Sequence, residues 1–247
     1  MNLVQMYDNK VIVAIVPARA GSKDIKGKNI KYLSGYPLIY YTIRTALRSK
    51  YIDKLIVSTD NQVTKQISEK YGAEVPFMRP ENLAGDEVLD LPVFQHALNY
   101  LEEKTNFKSH VTLNLRPTNP FRTPEDIDSA IKFFFEKKAD SVKTLSKATQ
   151  HPFRMWTLKK NGKILPLKGT KDRVVSGSDS RRQDLPIIYW QNEYVDVCKS
   201  ENIIKNNDMF GSNRYGYVID RDIAIDLNTE EDFKIAEILL EKGIIKL

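Results

Sequence analysis

Three observations predict an α/β fold: a doubly wound, mostly parallel sheet carrying an inserted β-rich arm. Residues 11–16 (VIVAIV) form a continuous apolar, β-branched run ended by Pro17, the composition of a strand buried on both faces. From there to Leu145 strand-like and helix-like segments alternate, which is the signature of a wound sheet. The alternation then stops in a stretch rich in Gly, Lys and Ser, residues 146–186.

The elements follow in order. Residues 37–49 place Leu38, Ile39, Ile43, Ala46 and Leu47 at helical spacing, and 54–58 (KLIVS) return as a second strand, completing one βαβ unit. A helix over 61–71, a strand over 74–77, a helix over 91–104, a strand over 111–115 and a helix over 124–137 come next, the last with Pro at its start. After a strand at 141–145, KKNGK, KGTKDR and SGSDSRR surround short β-like pieces such as 153–158. Strand patterns resume at 187–190, 194–197, 215–219 and 223–225. A closing helix spans 229–242, with a Thr229 cap and acid at Glu230, Glu231 and Asp232 in its first turn. No internal repeat divides the chain, so 1–247 reads as one domain with an arm at 146–186.

Composition excludes several classes. Of 247 residues 41% are hydrophobic and 28% charged, and Gly and Pro number 11 each, which rules out collagen-like, low-complexity and wholly disordered chains. The net charge of +6 suits an anionic small molecule; without long Lys/Arg blocks or a basic and aromatic stripe, nucleic acid is not expected as a partner. Phe133, Phe134 and Phe135 read as core packing. The lone cysteine, Cys198, has no partner for an intramolecular disulfide and reads as a small core residue. No apolar run approaches the ~18 residues of a membrane span, and MNLVQMYDNK lacks the plan of a signal peptide, so a cytoplasmic location is expected.

In an open parallel sheet, ligands bind beyond the carboxyl ends of the strands. The loop after the first strand, PARAGSKDIKGKNIK, sets Arg19, Lys23, Lys26, Lys28 and Lys31 against one acid, Asp24, with Gly21 and Gly27 letting backbone N–H groups approach an anion. This is the chemistry of a polyphosphate cradle. It is not a Walker A loop: five residues separate the glycines, and Asn29 follows Lys28 where a Ser or Thr belongs. A second unusual loop, RPTNPFR at 116–122, is a double-proline turn whose rigidity suits positioning a substrate.

Residues 16–30, VPARAGSKDIKGKNI, resemble the opening motif of the acylneuraminate cytidylyltransferase family, the CMP-sialic acid synthetases. GYPLIYYTI, IVSTD, RPENLAGDE, LRPTNPFR, RRQDLP and IDLNTEEDF follow in order and are each similar to that family's pattern, so the resemblance covers nearly the whole chain. It implies transfer of CMP from CTP to the anomeric hydroxyl of a sialic acid or related nonulosonic acid, releasing pyrophosphate with Mg²⁺. The implied catalytic residues are Arg19, Lys23 and Asp226. Arg19, Ser22 and Lys23 would hold the triphosphate, and Asn29, Arg79 and Asp86 match positions near cytosine and ribose. Arg116 and Thr118 fall beside the sugar, where a guanidinium can grip the acceptor carboxylate.

The arm is implied to be a dimerisation element through which Arg154, Arg181, Arg182 and Gln183 act on a partner subunit's site, making the protein a homodimer. Asn192 matches an active-site Asn, whereas His151 reads as local structure. The metal site departs from the family. Two aspartates one residue apart on a strand are usual, and here the pair is Asp226 and Asn228, which keeps an oxygen but removes a charge. Asp226 is then the main protein ligand, with Asp222 a weaker candidate, and no residue presents itself as the general base. Two alternatives stay open: a CMP-Kdo synthetase-like enzyme, and a nucleotide- or sugar-binding homologue weakened at Asn228.

Overall fold

The computed structural model describes residues 10–22, 24–167, 181–219 and 224–245, apart from the Arg182 side chain. Two compact units emerge, Met1–Leu145 with Asn192–Leu247, and Ser146–Gln191.

The larger unit is built on a six-stranded sheet. Its strands are β1 (Ile12–Pro17), β4 (Lys54–Ser58), β5 (Val111–Asn114), β6 (Ser141–Lys147), β9 (Tyr189–Lys199) and β10 (Arg214–Val218), in the order β10-β6-β9-β5-β1-β4. β1 lies parallel to both neighbours, Val13 opposite Lys54 of β4 and Ile12 opposite Val111 of β5, and β10 is parallel to β6. β9 runs antiparallel to β5 with Asn114 opposite Asp196. The doubly wound, mostly parallel expectation holds.

The apolar run at β1 is buried on both faces, as its composition requires. Ile12, Ala14 and Val16 pack in one cluster with Ile39 and Ile43 of α1 (Leu38–Ala46) and Ile127, Ile131 and Phe134 of α4 (Pro124–Glu136). Val13 and Ile15 face the other cluster, with Val93, Phe94, Ala97, Leu98 and Leu101 of α3 (Asp90–Thr105) and Ile203 of α5 (Ser200–Lys205). Cys198 is buried in that second cluster, as its sequence context predicts. Two helices carry capping boxes: Thr123 with Asp126 opens α4, and Thr229 with Asp232 opens α6 (Glu230–Glu241). Asn61 caps α2 (Gln62–Lys70) through the Thr64 N–H.

Several elements differ from their sequence readings. Residues 74–77 form no strand; Glu74 makes a single bridge to Ile56, and Pro76, which lacks an N–H, stops it from extending. The segments at 187–190 and 194–197 are one strand, β9. Ala224–Asn228 is irregular rather than a strand, while Ile223 lies outside the described residues. The short helix α5 and a two-stranded ribbon, β2 (Tyr32–Leu33) with β3 (Tyr36–Pro37), were not anticipated.

In the second unit, β7 (Trp156–Leu158) pairs antiparallel with β8 (Ile164–Pro166). Phe153 and Arg154, expected to begin a β-like piece, belong instead to a 3₁₀ turn, Pro152–Arg154, capped by His151, whose Nδ1 accepts from the Phe153 N–H at 3.1 Å. Its Nε2 lies 3.1 Å from the Pro186 carbonyl, so the ring is a structural brace. Among the described residues no helix is long and apolar enough to cross a membrane.

Candidate active site

Beyond Pro17 the chain is held at the carboxyl end of the sheet by the Ala18 N–H, which donates to the Ser58 carbonyl at 2.9 Å. The basic loop that follows is folded on a third apolar cluster. Ile25 and Leu33 pack there with Leu38, Tyr41, Phe121, Leu227 and Phe233, which brings the loop against the start of α6. Gly27, at φ 67°, takes the left-handed conformation that opens the Lys28–Ile30 turn, where a Cβ would be strained. Asn29 Nδ2 donates to the Arg19 carbonyl at 3.0 Å, and the Asp60 carboxylate accepts from the Ala20 N–H at 2.7 Å. These bonds shape the segment bearing Arg19 and Ser22.

Arg19 ion-pairs with Asp86, and both side chains remain partly exposed, so the pair is worth little and can be exchanged for a phosphate. Arg79 is buried. Its Nε donates to Ser58 Oγ at 3.0 Å, its Nη2 to the Ser58 carbonyl at 2.6 Å, and its own N–H to the Thr59 carbonyl at 2.7 Å. Burial lowers its guanidinium to about 10, opposed by the charges of Asp60 and Asp90.

The second loop is fixed by Arg122, which is buried under the turn. Its Nε donates to the Tyr194 carbonyl, its Nη1 to Thr42 Oγ1 at 3.2 Å and its Nη2 to the Arg116 carbonyl at 3.1 Å. Arg116 therefore leaves β5 in a set direction. Its Nη2 donates to Asp90 Oδ2 at 2.6 Å, and Asn114 Nδ2 donates to that same oxygen at 3.0 Å. On the other side Glu193 Oε2 lies 2.9 Å from Arg116 Nε, yet Nε makes no directed hydrogen bond.

The Thr118 carbonyl accepts from the Leu227 N–H at 2.8 Å, tying the irregular segment that leads into α6 to this turn. Asp226 and Asn228 meet although no strand aligns them: Asn228 Nδ2 donates to Asp226 Oδ2 at 2.5 Å. Asn228 Oδ1 accepts from Lys28 Nζ at 2.8 Å. Burial pulls the Lys28 ammonium below its ordinary value, opposed by Asp226 and Asp24.

Unpartnered polar atoms concentrate here. Asn114 Oδ1, Arg116 Nε, Asn119 Oδ1 and Asp226 Oδ1 are all buried without a hydrogen-bond partner, an arrangement that a native protein keeps where a ligand or ion completes it. For Mg²⁺ the fit is good at Asp226, whose Oδ1 is a hard, unengaged oxygen; it is poor at Asn228, whose oxygen already faces an ammonium. Among the described residues no group of three or more His, Cys, Asp or Glu is placed to hold a metal, so substrate phosphates would have to supply the remaining ligands.

The structure thus places Arg19, Ser22, Asn29, Arg79 and Asp86 around the ends of β1 and β4, and Arg116, Thr118, Asp226 and Asn228 beyond β5. Asn192 is buried at the start of this region, its Oδ1 accepting from the Tyr194 N–H at 3.2 Å. Lys23, Asp222 and the Arg182 side chain lie outside the described residues. Arg154, Arg181 and Gln183 belong to the second unit and are exposed there, Arg181 pairing with Asp184 at 2.9 Å.

Four charged residues in this region escaped the sequence reading: Asp90, Lys143, Glu193 and Asp196. Lys143 Nζ and Asp196 Oδ2 form a buried pair at 3.0 Å, signalled by an acid inside the apolar run YVDVC. Glu193 sits at φ 54°, a left-handed backbone that costs a residue with a Cβ about 1–2 kcal/mol. Burial raises its carboxyl above the ordinary range, with Arg116 opposing and Asp226, Asp196 and Asp90 adding to the rise.

The family model described as "Cytidylyltransferase" matches residues 13–244. The chain belongs to the cytidylyltransferase family. Among curated relatives, this cytidylyltransferase is 31% identical to the post-translational flagellin modification protein B of Campylobacter coli, over 94% of this chain and 95% of that one. It is 32% identical to the CMP-N,N'-diacetyllegionaminic acid synthase of Campylobacter jejuni, over 93% and 94%. With the N-acylneuraminate cytidylyltransferase of Streptococcus agalactiae serotype V it shares 30% identity over 90% of its length, but spans only 51% of that longer protein. A solved CMP:2-keto-3-deoxy-manno-octonic acid synthetase complexed with CTP superposes with a TM-score of 0.70 over 95% of this chain and all of that one, at 12% identity. That likeness concerns the fold alone.

Proposed function

We propose that this cytidylyltransferase transfers CMP from CTP to the anomeric hydroxyl of a sialic acid or a related nonulosonic acid, legionaminic or pseudaminic, releasing pyrophosphate. The observation that carries the reading is the junction of the basic loop with the unpartnered polar atoms at Asn114, Arg116, Asn119 and Asp226. Identity of about 30% to synthases named for these acids, over most of the chain, supports the acceptor class.

In this reading Arg19 and the loop N–H groups bind the triphosphate, exchanging Asp86 for phosphate oxygens. Arg79, rigidly seated against β4, orients the nucleoside side. The turn braced by Arg122 sets the acceptor hydroxyl in line with the α-phosphorus, and most of the acceleration comes from this positioning and from charge met at the leaving pyrophosphate. Asp226, together with the substrate phosphates, would hold Mg²⁺, and the ion would supply Lewis-acid stabilisation of that charge. The second unit's Arg154, Arg181, Arg182 and Gln183 complete the acceptor site of a homodimer in the cytoplasm, an assembly that light scattering would test.

The test is pyrophosphate release with CTP, UTP or ATP and sialic, legionaminic, pseudaminic or Kdo acid. CTP with a nonulosonic acid should react; reaction with Kdo alone, or with none, would refute the assignment.

A further inference from the structure

Arg116 carries two acidic partners on one edge. Nη2 donates to Asp90, which Asn114 in turn anchors, whereas Nε faces Glu193 at 2.9 Å without a directed bond. Nε and Nη2 together form the edge on which a guanidinium takes a carboxylate side-on. The two halves of that edge are held very differently. Asp90 is seated by a second donor; Glu193 is held by charge alone, on a backbone in the left-handed region. Asn119 Nδ2 reaches the Glu193 carbonyl only at 3.4 Å. The charged groups facing the Glu193 carboxylate, Asp226, Asp196 and Asp90, disfavour an anion there.

We propose that Glu193 is a place-holding carboxylate, which occupies on Arg116 Nε the position of the acceptor's carboxylate and is displaced when a sugar acid binds. The proposal rests on the function argued above and deepens it. Glu193 then sets acceptor affinity: every acid entering the site competes with an internal one, and Arg116 passes from one carboxylate to another without ever facing the site uncompensated.

The experiment compares the full wild-type chain with Glu193→Gln and Glu193→Gly. Glycine suits the left-handed backbone, so at least one variant is expected to fold, as circular dichroism and thermal melting would verify. N-acetylneuraminic acid and N,N'-diacetyllegionaminic acid serve as probes, with the methyl ester of N-acetylneuraminic acid as a control lacking the anionic carboxylate. In both variants KM for the free acids should fall about three- to tenfold, with the gain in that KM rather than in kcat and none for the ester; KM for CTP should stay where it is. An unchanged or raised acid KM would overturn the proposal. A hundredfold loss of kcat with no change in KM would also overturn it, by making Glu193 a proton acceptor instead. If the wild type turned over no acid, the transfer reading itself would fail. Calorimetric binding of the same acids would then decide: tighter binding by the variants supports displacement, and equal or absent binding refutes it.

Discussion

Lys28 Nζ and Asn228 Oδ1 lie 2.8 Å apart across 200 residues of sequence, joining the basic loop after β1 to the segment that leads into α6. A second tie runs parallel to it. Lys31 pairs with Glu230 and sits 4.8 Å from the centre of the Phe233 ring. The basic loop and the Asp226–Asn228 segment are thereby parts of one assembly, and Asn228 spends its oxygen on an ammonium.

That contact predicts the effect of restoring an acid. Asn228→Asp places a second carboxylate beside Asp226, and the Mg²⁺ concentration giving half-maximal pyrophosphate release should fall about fivefold, the order that one added opposite charge supplies in a partly exposed site. Asp226→Ala should lower kcat/KM at least about 100-fold. An Asp226→Ala protein with ordinary Mg²⁺-dependent turnover would contradict the metal assignment.

Arg122 predicts a loss of stability. Replacing it by Met leaves the Tyr194 and Arg116 carbonyls and the Thr42 hydroxyl without their buried donor, so unfolding free energy should drop by about 3 kcal/mol. Urea denaturation reads this directly. Because the Arg116 carbonyl is one of the groups released, acceptor KM should rise in the same variant even where the protein is fully folded.

Asp140 predicts acid sensitivity. Lys199, at 2.6 Å, and the Asn213 N–H, at 3.0 Å, favour its ionised form and lower the carboxyl from 3.8 to about 2. A carboxyl depressed in the folded state stabilises above its unfolded value and loses that contribution as pH falls from about 4 toward 2. Urea midpoints of the wild type should therefore drop across this window, and Asp140→Asn, less stable at pH 7, should show a smaller drop. Equal pH dependence in the two proteins would rule out this source.

Cys198 predicts chemical silence. Burial pushes its thiol up to about 12, and the thiolate is the reactive form. Iodoacetamide at pH 8 should leave the folded protein unlabelled and modify it within minutes in urea, as mass spectrometry would record.

Much of the framework was legible in the chain because its signals are local. β1 is apolar at every position from Ile12 to Val16, α4 announces itself by Pro124 at its start, and α6 by Thr229 with acid in its first turn. The failures are tertiary. Residues 74–77 have strand composition but only one position where the neighbouring strand can bond, and β9 runs through Gln191, Asn192 and Glu193, residues that read as a break. In the site, the basic loop could be read from composition, whereas Asp90 and Glu193 acquire meaning only through Arg116, 26 residues from the one and 77 from the other. The polar atoms left unpartnered at Asn114 and Asn119 carry no sequence signature at all, since an asparagine at a strand end or in a turn is ordinary until its surroundings close over it.

Mass spectrometry of the product shows directly whether CMP is transferred to a nonulosonic acid. Incubated with CTP, Mg²⁺ and N,N'-diacetyllegionaminic or N-acetylneuraminic acid, the protein should yield one product with the mass of the CMP–sugar conjugate, together with an equal amount of pyrophosphate. Unchanged CTP with every nonulosonic acid, or conjugation to Kdo instead, would contradict the account.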